Sequence, residues 1–74
     1  MPTITLTATA TRHLRHVVYM GGWVTAGYFD NMTDNVAARD ELLAAGLIEP
    51  RQEGRHHLYG ITGAGRDQLA ELEA

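Results

Sequence analysis

Cysteine is absent from the 74-residue sequence, so no disulfide can staple the chain and no thiolate can bind zinc. Lysine is absent as well: the six basic residues are all arginines, set against nine acidic ones, for a formal net charge of -3. That balance is the opposite of what nucleic-acid binding normally asks for, so any basic surface has to be local. Apolar runs are only a few residues long, which leaves no candidate for a bilayer-spanning helix and no expected membrane partner. The start, Met1-Pro2-Thr3-Ile4-Thr5-Leu6, has no basic region leading into an apolar run. It does not read as a signal peptide, and a cytoplasmic location is expected. No internal repeat, low-complexity tract or linker breaks the chain, so residues 1–74 read as one domain.

What is present is the pattern of a small helical protein with one hairpin. A chain of this size buries only about 60% of its unfolded surface. A well-packed helical core, or burial against a second copy, has to supply its stability. Residues 3–10 alternate apolar and hydroxyl side chains, which suits either a short strand or the approach to a helix; residues 1–6 are expected to be extended, with Thr7 as N-cap. Ala10, Leu14, Val17 and Val18 then fall on one face of a helix over 8–20, and Gly21-Gly22 ends it. Trp23-Val24 is a short extended piece. A brief helix follows over 26–31, with Tyr28, Phe29 and Met32 turned inward. Thr33 is the expected cap of a third helix over 34–45, anchored by Val36, Leu42 and Leu43 and stopped by Gly46.

At Leu47 the period changes from helix to strand. Leu47-Ile48-Glu49-Pro50-Arg51 reads as a strand with an edge-type proline, Gln52-Glu53-Gly54-Arg55 as a turn, and His56-His57-Leu58-Tyr59-Gly60-Ile61 as the return strand. Thr62 caps a last helix in which Leu69 and Leu72 form the apolar stripe and Gly65 lowers stability slightly. The stretch from Glu41 to Arg51 resembles the end of a recognition helix running into the wing of MarR-, PadR- and ArsR-like regulators. The stretch from Gly54 to Arg66 resembles their wing return strand and following helix. The resemblance is carried by the C-terminal half. It implies a mainly α fold with a small β-hairpin: a winged helix-turn-helix of three helices, a two-stranded wing over 47–61 and a C-terminal helix. It also implies a small bacterial or phage DNA-binding transcriptional regulator, and double-stranded DNA as partner. The all-arginine basic content fits a GC-rich genome. A protein–protein interaction module on the same fold is the alternative, because winged helices also serve that role.

The candidate DNA-binding residues are Thr33, Asn35 and Arg39 on the third helix and Arg51, Arg55, His56 and His57 on the wing. Arginine takes guanine bidentately and asparagine takes adenine, so Arg39 and Asn35 are candidate base readers, while Thr33 would help present backbone N–H groups to a phosphate. The competing reading of Arg39 is an ion pair with neighbouring carboxylates. The wing cations are candidate phosphate clamps, or charges that keep an exposed strand edge from pairing. Across residues 33–57 the carboxylates of Asp34, Asp40, Glu41, Glu49 and Glu53 outnumber Arg39, Arg51 and Arg55, so Asp40 and Glu41 are expected to repel a DNA backbone. His13, His16, His56 and His57 are read as solvated, with no metal expected. The glycines of 60–65 have neither dinucleotide-binding nor P-loop spacing. No nucleophile–base pair or poised pair of carboxylates is visible, so neither a cofactor nor an enzymatic activity is expected. A homodimer through the first and last helices is expected to compensate for a weakly binding single domain.

Overall fold

A computed structural model of the chain describes residues 5–30 and 33–73, apart from the side chain of Thr33. Four helices and one three-stranded antiparallel sheet follow in the order α1 (Ala8–Tyr19), β1 (Trp23–Thr25), α2 (Ala26–Asp30), α3 (Thr33–Ala44), β2 (Ile48–Glu53), β3 (His56–Ile61) and α4 (Gly63–Glu73). The extended segment expected over 1–6 lies mostly outside the described residues, and Thr5–Thr7 are neither helix nor strand. The inward role expected of Met32, the end of the second helix at Asn31 and the capping side chain of Thr33 also lie outside them.

Local chemistry accounts for the helix ends. Thr7 is in extended conformation and its hydroxyl accepts from the Ala10 N–H, as an N-cap does. At the far end Gly21 and Gly22 both have positive φ, and their N–H groups return to the carbonyls of Val18 and Val17. This is the paired closure that satisfies a helix's last carbonyls. The end of α3 repeats it: Gly46 (φ 73°) donates to Leu43 and Leu47 donates to Leu42. Leu47 then turns straight into the interior.

The sheet has one more strand than the sequence reading gave. Trp23–Thr25 pairs antiparallel with β3 through Trp23↔Gly60, Val24↔Tyr59 and Thr25↔Leu58, so the strand order is β1-β3-β2. Three residues are too few to show a period of two, which is why this piece read only as extended. The hairpin is also longer and tighter than expected: β2 continues to Glu53, and the turn is Gly54-Arg55, with Gly54 at φ 62°.

Side-chain alternation divides the sheet. Val24, Ile48, Tyr59 and Ile61 face inward, where they meet Ala10, Leu14, Val17, Phe29, Ala38, Leu42, Leu47 and Leu69 in one interior. Thr62 stitches α4 to this interior. Its N–H donates to the Leu47 carbonyl, its hydroxyl donates to the Gly46 carbonyl, and the same oxygen accepts from the Gly65 N–H. Gly65 has a stronger reason to be glycine than the small cost the sequence suggested. A Cβ there would stand 2.3 Å from the Leu47 carbonyl oxygen, so α4 can cross the start of β2 only with no side chain at this point.

Candidate nucleic-acid interface

The seven candidate residues divide between two places, and their surroundings differ. On α3, Asn35 is half-buried and its side-chain amide donates to the Tyr28 carbonyl, 3.0 Å away. Arg39 is turned into a carboxylate clasp. Its Nη1 lies 2.8 Å from Asp30 Oδ1 and its Nη2 lies 3.1 Å from Asp40 Oδ1, leaving its side chain 23% exposed. The hydrogen bond to Asp40, with the nearby charge of Asp30, raises the guanidinium pKa further above its ordinary value. Thr33 is the first residue of α3 and sits where a helix N-terminus exposes its N–H groups.

Glu41 has a role the sequence did not reveal. Its two carboxylate oxygens accept from the Thr7 N–H (2.8 Å) and the Thr7 hydroxyl (3.0 Å), so it closes the start of α1 from across the molecule. A carboxylate at a helix N-terminus is favoured by the helix dipole as well as by these bonds. Glu41 is therefore tied to α1 and is not a free charge on the outer surface of α3. Among the described side chains of α3, those that face solvent are Asp34, Ala37, Asp40 and Ala44: two carboxylates, two methyl groups and no cation.

On the hairpin, all residues from Glu49 to His57 are exposed. The alternation of β2 and β3 splits the expected basic cluster between two faces. Arg51 and His56 share the outer face with Trp23, while His57 shares the inner face with Pro50, Gln52 and Tyr59. Arg51 does not project. Its guanidinium carbon lies 4.7 Å from the centre of the Trp23 ring, and its Nε is 3.6 Å from Glu53. The same ring lies against Gly60, where a Cβ would stand 2.2 Å from the indole. Arg55, at the turn, has no ion-pair partner among the described residues, and neither do His56 and His57.

The reading of all four histidines as solvated needs correction at His13. It is buried on α1, next to Tyr28 and Phe29. Its position three residues before His16 hid this, because each falls beside the apolar stripe rather than on it. Among the described residues no group of three or more His, Asp or Glu side chains could hold a metal ion, and no helix is long and apolar enough to cross a membrane. No protein-family model matches the chain, and no curated protein matches it.

Proposed function

We propose that the chain is a winged helix-turn-helix domain that docks double-stranded DNA chiefly through its hairpin. The element order supports the fold reading: α2 and α3 are separated by only two residues, β1 pairs with the return strand of the hairpin, and α4 closes the interior. The observation that carries the DNA reading is the hairpin tip. Arg55, at the turn, and His56 and His57, on opposite faces of the strand that follows it, are all exposed and have no carboxylate partner among the described residues. Such side chains suit contacts to phosphate oxygens, which position a protein without reading sequence. Base reading by Arg39 would require it to leave Asp30 and Asp40, so binding of low sequence selectivity fits this surface best.

A second reading, a protein-interaction module, is favoured by the solvent face of α3, where Asp34 and Asp40 alternate with Ala37 and Ala44. A phosphate backbone repels such a face. The partner in either reading includes a second copy of the chain: Val18, Tyr19, Met20 and Leu72 expose apolar surface on α1 and α4, and Tyr19 is 84% exposed. A mobility-shift titration on random and defined duplexes at two salt concentrations tests the proposal. Binding should weaken steeply with salt, and Arg55→Ala should lower the salt slope by about one unit on every sequence alike. No binding at low salt would leave the interaction module as the better reading.

A further inference from the structure

The helices bury one ionisable side chain for which the hairpin has no use. His13 is 5% exposed. Its Nδ1 lies 2.5 Å from the Tyr28 hydroxyl, and its Nε2 is sealed from solvent without a hydrogen-bond partner. The ring meets Tyr28 edge-on at 5.4 Å and Phe29 at 5.9 Å, while His16 stacks on Tyr28 at 4.7 Å. Asn35 holds the Tyr28 carbonyl from the other side. One side chain of α1 is thus the point where α2 is gripped between α1 and α3. The grip matters because α2 has five residues, too few to keep a helix by its own hydrogen bonds.

The protonation chemistry of this site is one-sided. A neutral imidazole carries one N–H, and a buried acceptor without a partner costs less than a buried donor without one. The hydrogen-bond network therefore assigns the proton to Nδ1, which donates to the Tyr28 oxygen. A second proton would sit on Nε2, buried, charged and facing no acceptor. Of the groups around the ring, Arg12 and His16 on α1 repel a second charge, Tyr28 on α2 carries none, and the Asn35 side chain on α3 alone favours it; no carboxylate is among those acting on it. Burial first, then Arg12 and His16, push the His13 pKa below its ordinary 6.5, with Asn35 opposing them.

We propose that His13 is an acid-sensitive latch: neutral, it clamps α2 between α1 and α3; protonated, it leaves its pocket and releases α2. The direction follows from linkage. The folded chain binds this proton less readily than the unfolded chain, so the stabilisation is complete above pH 6.5 and is lost as pH falls from there toward the folded-state value. The latch does not depend on the DNA reading, since any ligand held by the α2–α3 pair would be released with it.

The test is an NMR titration of the histidine rings and backbone amides of the full chain between pH 7.5 and 5, alongside denaturant unfolding at each pH. The His13 ring should titrate below 6.5, the amides of 27–30 should shift with the same midpoint, and the unfolding constant should rise by up to about tenfold per pH unit in that window. His13→Gln, which keeps an amide for Tyr28 but takes no proton, should flatten that slope. His16→Gln removes one repelling neighbour and should move the His13 midpoint upward while keeping the response, and the wild-type titration needs no variant to fold. A His13 midpoint at or above 6.5, amides of α2 indifferent to it, or an unchanged slope in folded His13→Gln would overturn the latch.

Discussion

Two regions hold the polar side chains from which a DNA contact would be built, and they use them in opposite ways. Along α3, Asn35, Arg39, Asp40 and Glu41 each bind another part of the same chain: the carbonyl of Tyr28, the carboxylate of Asp30, the guanidinium of Arg39 and the cap of α1. On the outer hairpin, Arg55, His56 and His57 bind no other described side chain. The cause is position. A helix packed against both α1 and α2 has its flanks within reach of neighbours, whereas the distal half of the hairpin has solvent on both faces. An arginine on a helix that resembles a recognition helix is therefore no more available to a ligand than the carboxylates around it allow.

The sharpest way to break this contrast is to remove what fixes α3 and α4 in place. Leu42 is fully buried, and Leu42→Ala should cost about 2–5 kcal/mol through the cavity it leaves. A near-neutral change in thermal unfolding would mean that α3 is not anchored by its inner face. Gly65→Ala should cost about 1–3 kcal/mol, because its methyl group must displace the Leu47 carbonyl and so the whole of α4. Calorimetry that found Gly65→Ala as stable as wild type would exclude the close crossing. Next in size comes Glu41→Ala, which strips two acceptors from Thr7 and should cost about 0.5–2 kcal/mol, the range for a lost helix cap. If Glu41 were a free surface charge, denaturation curves of the variant and wild type would superimpose.

The contrast can also be sharpened from the ligand side. Asp30→Asn combined with Asp40→Asn dissolves the clasp on Arg39 and removes two negative charges near a phosphate backbone. The double variant should bind random duplex more tightly at low salt, and an unchanged affinity in titration would show that α3 does not face the DNA. Smallest in its effect on folding is Arg55→Ala. It should shift stability by no more than about 0.5 kcal/mol, as exposed substitutions do, so its change in salt slope can be read without a folding correction.

Features written in neighbouring residues were legible in the sequence. The capping bonds of Thr7 and Thr62 reach N–H groups three positions on, Gly46 and Gly54 act through their own dihedrals, and each marks a boundary where the sequence reading put it. The apolar stripe of α1 was legible for the same reason, because Ala10, Leu14 and Val17 repeat at helical spacing. What escaped was set by distance along the chain. Glu41 meets Thr7 across 34 positions, Arg39 meets Asp30 across nine, and β1 becomes a strand only when β3 returns beside it. The burial of His13 belongs to the same class, since its cover comes from α2. The site was legible as a set of residue types. Which members were already occupied was not, because occupancy is decided by tertiary neighbours.

The stack of Gly60, Trp23 and Arg51 gives the molecule a built-in optical gauge. Trp23 is the only tryptophan in the chain, and its indole lies where the root of the hairpin meets the rest of the sheet, with backbone on one side and a guanidinium nearby. Its emission wavelength and quenching report how the arm is seated, with no dye attached and no second indole to confuse the signal. Anything that lifts Arg51 away, whether a bound phosphate or a bend at the hairpin's base, writes itself into the fluorescence of the unlabelled protein.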